Sequence, residues 1–372
     1  MYKTISLLTL KYLKWTKLLN YNTVTSSLHI TMTFKLLRIL FKIGNCLAIT
    51  PKNFKLRKPT ILEKILGCFM LIFQTVTAIT SVAYKLPQYS QYIYIKLTVY
   101  VILDVSLYLF SVTAVLSGLF KRNQWYKLVK NLMLTGKDPT TGHKKYFGFI
   151  VVNVIFLAMM VYLNVVFGTD FVKRFTLNFF KLYVQFFINY LVYAILQILK
   201  MRYRSLAQSL ENEANIRDTT LKRVSYDYIL LKESVSIFNN IFGWLILFNT
   251  IHSSLQIVVY PSDTFLSSRI EWILADIFVL IIFCGGIVIT IISCDLVLSE
   301  SEKILSISLK HLEASPDNRN LLKFIEMALA NFPKFSAARF FSISRTTILR
   351  ILNATVTFLI VVIQFQINVQ KL

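Results

Sequence analysis

Few side chains in this sequence have the type and spacing for chemistry. The four cysteines, Cys46, Cys68, Cys284 and Cys294, show no C-x-x-C spacing and no matching histidine cluster, so neither a metal site nor a disulfide framework follows. There is no phosphate-binding glycine loop, no H-E-x-x-H and no G-x-S-x-G, and Gly285-Gly286 is an isolated pair. No enzymatic site and no cofactor are expected. What the chain does carry is ionisable and amide side chains set inside long apolar runs, where each is costly to keep. These are Asp104, Asn164, Gln185, Asn189, His252 with Gln256 four residues on, and Trp272 with Asp276 four residues on. Tyr100, Phe167 and Tyr183 stand beside them. Aromatic walls with a few polar groups suit a small-ligand pocket, and aromatics at such a depth equally suit a membrane interface. Near the carboxyl end, Thr357, Val361, Gln364 and Asn368 recur at steps of three and four, a helical stripe polar except at Val361. Such a stripe either borders water or glues two helices together. Phe358, Val362 and Phe365 form the adjacent stripe, whose aromatic rings can close a pore by dewetting.

The elements that hold these residues follow from composition. Of 372 residues, 55% are hydrophobic and 16% charged, which excludes a water-soluble enzyme and leaves an integral membrane protein. Crossing a bilayer in a helix takes roughly 20 apolar residues, because each backbone polar group must be satisfied within its own segment. Seven stretches qualify: 65–84, 97–120, 147–167, 175–199, 239–260, 272–298 and 347–369. The alternating strands of a β-barrel do not occur. Lys181 sits near one end of the fourth stretch, where a lysine can reach the interface. Upstream, Met1 to Tyr21 and Phe34 to Ile49 interleave lysines with apolar residues like interfacial amphipathic helices.

The net charge of +23 points to nucleic acid only until the charges are placed. Residues 1–60, 121–146, 200–238 and 299–346 together hold 32 Lys and Arg, against 7 in the alternate connections. The bias puts the amino terminus in the cytosol and the carboxyl terminus outside. The resulting organisation is a basic cytoplasmic segment, 1–60, and six transmembrane helices within 61–298, with a cytoplasmic helical extension at 200–238. A cytoplasmic anchor region follows at 299–346, and then a seventh helix with a short outer tail, 347–372. The two inner connections, 200–238 and 299–346, each balance 7 basic with 5 acidic residues, as an assembly platform or a solvated extension would. A G-protein-coupled receptor has the opposite orientation, and the absence of an internal repeat counts against a transporter. Asp295 and Arg350 fall at similar depth near the inner ends of the last two helices and are expected either to pair or to reach the cytosol separately.

The seventh stretch carries a resemblance. Thr357, Phe358, five apolar residues from Leu359 to Ile363, then Gln364 and Phe365 resemble the last-helix motif of the insect gustatory receptors, with Phe358 in place of that family's tyrosine. The resemblance implies an all-α, seven-helix subunit of a homotetramer or heterotetramer, a ligand-gated cation channel in the plasma membrane of sensory neurons. Small-molecule tastants and membrane lipids would be its partners, with no nucleic acid. In that reading Thr357, Val361, Gln364 and Phe365 line or gate the pore. The residue after the motif's second position is Leu359 rather than the glutamate of the sugar-sensing branch, so a sugar is not the expected ligand. The related insect odorant receptors are the nearest alternative.

Overall fold

The structure, a computed structural model, describes residues 32–52, 59–89, 94–135, 142–212, 217–264 and 270–370. Among these, seven helical segments are long and apolar enough to cross a membrane. The amino-terminal stretch Met1 to Tyr21 lies outside the described residues.

The first described helix, α1 (Met32–Cys46), is amphipathic: Leu36, Leu37, Leu40 and Phe41 are buried while Arg38 and Lys42 are exposed. The first span, α2 (Ile61–Tyr89), opens with a capping box. Glu63 accepts from Thr60 N at 2.8 Å, and Thr60 Oγ1 accepts from Glu63 N at 3.3 Å. The same carboxylate meets Arg122 Nη1 at 2.7 Å, with both groups buried. It thereby ties α2 to α4 (Arg122–Leu134), which follows the second span, α3 (Tyr94–Phe120), after a single residue.

The third and fourth spans were expected as separate helices joined by a connection. They lie in α5 (Gly142–Glu211), whose two arms are separate helices divided at the non-helical Gly168, with φ 72° and ψ −172°. Only a residue without Cβ takes that conformation freely, so one glycine suffices to divide the arms. The fifth span lies in α6 (Asp218–Thr264) and the sixth in α7 (Ile270–Ala314). Then come α8 (Arg319–Ala330), a two-stranded hairpin of β1 (Ser336–Ala337) and β2 (Phe341–Ser342), and α9 (Arg345–Gln370), which contains the seventh span. The strands pair antiparallel, Ser336 with Ser342 and Ala337 with Phe341. Strands of two residues leave no period in a sequence, which is why none was expected.

α6 is the centre of the bundle, packing on α3, α4, α5, α7, α8, β1 and α9. At one end, α5, α6 and α7 run on past the membrane-length apolar stretches and pack with α8 around aromatic side chains. Tyr228 meets Tyr203 and Phe324 edge to face, and its hydroxyl lies 3.0 Å from Ser301 Oγ. Trp125 sits edge-on to both Phe41 and Phe242. Described residues of the helical connections 200–238 and 299–346 therefore share a buried core within the chain. This end is called the extended end below, and the opposite one the far end.

The pairing of Asp295 with Arg350 is corrected. Asp295 meets Arg345 Nε at 2.5 Å, and Arg350 is exposed. The reason is the hairpin, which delivers the first residue of α9, one turn and a half before Arg350, to the flank of α7. Lys181 is 3% exposed, turned into the bundle near Asp104 and Lys85.

Candidate functional site

Among the described residues, the polar side chains singled out above form three clusters in the far half of the bundle. In the first, Asp104 on α3 lies 2.7 and 2.9 Å from Lys85 Nζ on α2 and accepts from the Tyr89 hydroxyl at 2.6 Å. Tyr100 packs against the Tyr89 ring, with centroids 6.2 Å apart. The sequence marks Asp104 but assigns Lys85 to a connection. The clue it offers is the four-residue step from Lys85 to Tyr89, which puts both on one face of α2.

The second cluster joins α3 to α6. His252 Nδ1 lies 3.3 Å from Leu103 O and 3.3 Å from Ser106 Oγ, while Gln256 Nε2 donates to His252 Nε2 at 2.9 Å. A carbonyl on one side and an amide donor on the other assign the Nδ1–H tautomer. His252 and Gln256, four residues apart on one helical face, touch each other. Gln256 Oε1 is buried with no hydrogen-bond partner among the described residues.

The third cluster is a chain of amides between α5 and α6. Gln185 Nε2 donates to Asn249 Oδ1 at 2.5 Å, and Asn249 Nδ2 donates to Asn189 Oδ1 at 2.7 Å. Asn249 was not singled out, yet it is the link between the two residues that were. Gln185 Oε1 and Asn164 Oδ1 are, like Gln256 Oε1, buried without a partner among the described residues. Buried amide oxygens left open in this way are sites where a ligand donor or a water gains a full hydrogen bond. Tyr183 reaches Asn153 rather than these amides, at 3.4 Å. The side chains of Phe167, Trp272 and Asp276 lie outside the described residues.

The seventh span presents a different kind of site. α9 rests on α6 and α7, and just 17% of its span is buried. Its inner face is Thr355 and Val362, with Ile348 and Ile351 half-buried. Val362 is 3% exposed, so the stripe of Phe358, Val362 and Phe365 is not a free surface throughout. Thr357, Val361 and Gln364 are exposed together on the opposite side. Asn353 extends their line, and its carbonyl accepts from Thr357 Oγ1 at 2.9 Å. The four-residue step from Asn353 to Thr357 is what places both on one face of the helix. The side chains of Phe365 and Asn368 lie outside the described residues.

The start of α9 is held by α6. Asn239 Nδ2 donates to Lys334 O at 2.6 Å, and Asn239 Oδ1 accepts from Ser336 N at 3.1 Å. Phe340 packs on Trp244 edge to face. The hairpin backbone passes so near Gly243 that a Cβ there would fall 2.7 Å from Ala338 N. Thus one helix carries His252, Gln256 and Asn249 in its far half and the hairpin clamp nearer the extended end.

Comparison with known proteins bears on these sites as follows. A family model described as 7tm Chemosensory receptor matches residues 37–369. Among solved structures, the fold is similar to the insect olfactory receptor OR5 from Machilis hrabei at 11% identity, covering 89% of this chain and 97% of that one, with a TM-score of 0.57. It is also similar to the same receptor in complex with eugenol, at 12% identity and the same coverage, with a TM-score of 0.59. No curated protein matches the sequence.

Proposed function

The chain belongs to the 7tm chemosensory receptor family, and from that premise we propose that it is a taste receptor subunit, a ligand-gated and weakly selective cation channel of sensory-neuron plasma membrane. Four subunits, identical or related, surround a pore to which each contributes α9. The amino terminus is cytosolic, as the 32 to 7 distribution of Lys and Arg demands, so the extended end lies inside and the far half of the bundle outside. The observation that carries the reading is the exposed polar stripe of Asn353, Thr357 and Gln364 within the apolar span of α9. Inside a bilayer such a stripe needs water or symmetric copies of itself, and a central pore supplies both.

Gating follows from α6. A small molecule seated among the far-half clusters contacts the helix that also clamps the hairpin before α9. If it binds the open arrangement more tightly than the closed one, α6 and α7 shift and the four α9 helices spread at Phe365. The buried amide oxygens of Gln185 and Gln256 favour a ligand that donates hydrogen bonds.

A second reading, an odorant receptor subunit, is favoured by the likeness in fold to an olfactory receptor that binds eugenol. The Gln364-Phe365 ending of the last helix favours taste.

The test is whole-cell current in cells expressing the wild type or Phe365→Ala at matched surface density. A cation leak in the mutant alone is the expected result. Surface-delivered mutant tetramers without current would remove Phe365 as the gate, and flux of a solute without channel-like conductance would point to a transporter instead.

A further inference from the structure

Between α1, the two arms of α5 and α7 lies a cavity of about 830 Å³, within the range of small-ligand sites. Among the described residues none of its lining belongs to α3, and the cavity touches the polar clusters at one point, Asn189. One wall is a single face of α5, where Phe186, Asn189, Tyr190, Tyr193 and Gln197 recur at helical spacing. The other walls are hollowed by glycine. A Cβ built on Gly148 or on Gly285 would meet nothing within 4 Å, although glycine inside a helix costs roughly 0.5–1 kcal/mol relative to alanine. Gly286 serves differently: a Cβ there would lie 2.5 Å from Asn189 Nδ2, so the missing side chain gives that amide its place in the wall.

The chemistry of the rim and lining selects an occupant. Ile155, Ile281 and Ile289 line the cavity and are exposed on the outside of the bundle. In a bilayer that mouth opens onto acyl chains rather than water. No charged side chain lines the cavity among the described residues, so an ionic headgroup would have no counter-charge. The aromatic face of α5 fits a broad, rigid apolar body, and Asn189 and Gln197 can satisfy a neutral hydroxyl.

We propose that this cavity is a lateral lipid site that takes a sterol-like molecule from the bilayer, with its ring system against Phe186, Tyr190 and Tyr193 and its hydroxyl hydrogen-bonded to Asn189. Asn189 Oδ1 already accepts from Asn249 on α6, so the occupant joins the amide chain that links α5 to the central helix. The site stands on its own geometry and does not depend on channel activity.

The test uses the full-length chain in membranes with a photoactivatable cholesterol analogue, followed by mapping of the labelled peptides. Adducts are expected in the α5 segment 186–197 or the α7 segment 281–289, and excess unlabelled cholesterol should remove them. Gly285→Leu and Gly148→Leu fill the void from two different helices, and each should lower labelling to the level left by the competitor at equal surface density. Gly285→Val, a smaller addition, keeps the comparison available if leucine prevents folding. Labelling unchanged in the filled variants, or adducts confined to other segments, overturns the site. Labelling there by a photoactivatable fatty acid but not by the sterol overturns the assignment of a neutral ring lipid. Because the readout is covalent labelling, a silent channel leaves the result interpretable.

Discussion

Lys85 and Asp104 hold each other 2.7 Å apart with little of either side chain exposed, and the Tyr89 hydroxyl closes the pair. Removing one charge from such a pair leaves the other buried and uncompensated, at a cost of about 3–5 kcal/mol. Asp104→Asn is therefore expected to lose most of its surface protein and to melt earlier in detergent. Asp104→Asn combined with Lys85→Met removes both charges and keeps an acceptor for Tyr89, so the double variant should recover in part, the buried Lys181 nearby still lacking the Asp104 charge. A single variant as stable as wild type, or a double variant no better than the single, contradicts the pairing. At this scale the sequence is a partial guide. Asp104, His252 and Gln185 stand out because an ionisable or amide group inside an apolar run is conspicuous. Lys85 and Asn249 do not, because a partner is defined by another helix and not by its own neighbours. Arg345 displaces Arg350 beside Asp295 for the same reason: depth along two helices is legible, but the geometry of the hairpin between them is not.

Gly243 is the point at which one element presses on another. The obstacle to a side chain there is the Ala338 backbone, which cannot swing aside as a flexible side chain would. The turn itself is set, with Ala338 at φ 48° and Arg339 at φ 66°, left-handed conformations that non-glycine residues seldom adopt. Gly243→Val should shift the hairpin and with it the start of α9. In the Phe365→Ala background, the resting current at equal surface density should change by between about fivefold and a hundredfold, as an overpacking strain of 1–3 kcal/mol would give. An unchanged current would show that the clamp does not reach the pore helix. The spans themselves were legible, since 20 apolar residues in a row have few other uses. The hairpin was not, because it turns on a few backbone dihedrals that composition does not register.

Across the whole molecule burial is uneven. α6 is the most enclosed of the spans, with 61% of its span buried, while α9 and the third span are each buried over 17%. An apolar helix left open to this degree is served by lipid, but the stripe of Asn353, Thr357 and Gln364 on α9 is not. Seven spans and their order could be read from hydropathy. The proposed pore joins the exposed face of α9 to family membership. The most direct measurement is thiol accessibility in the Phe365→Ala channel carrying Gln364→Cys. A positively charged thiol reagent applied from outside should block the cation current irreversibly, while Phe365→Ala alone and Phe365→Ala with Val362→Cys, whose side chain faces its own subunit, stay open. Block through Val362→Cys with Gln364→Cys insensitive would place the wrong face of α9 on the pore and contradict the account.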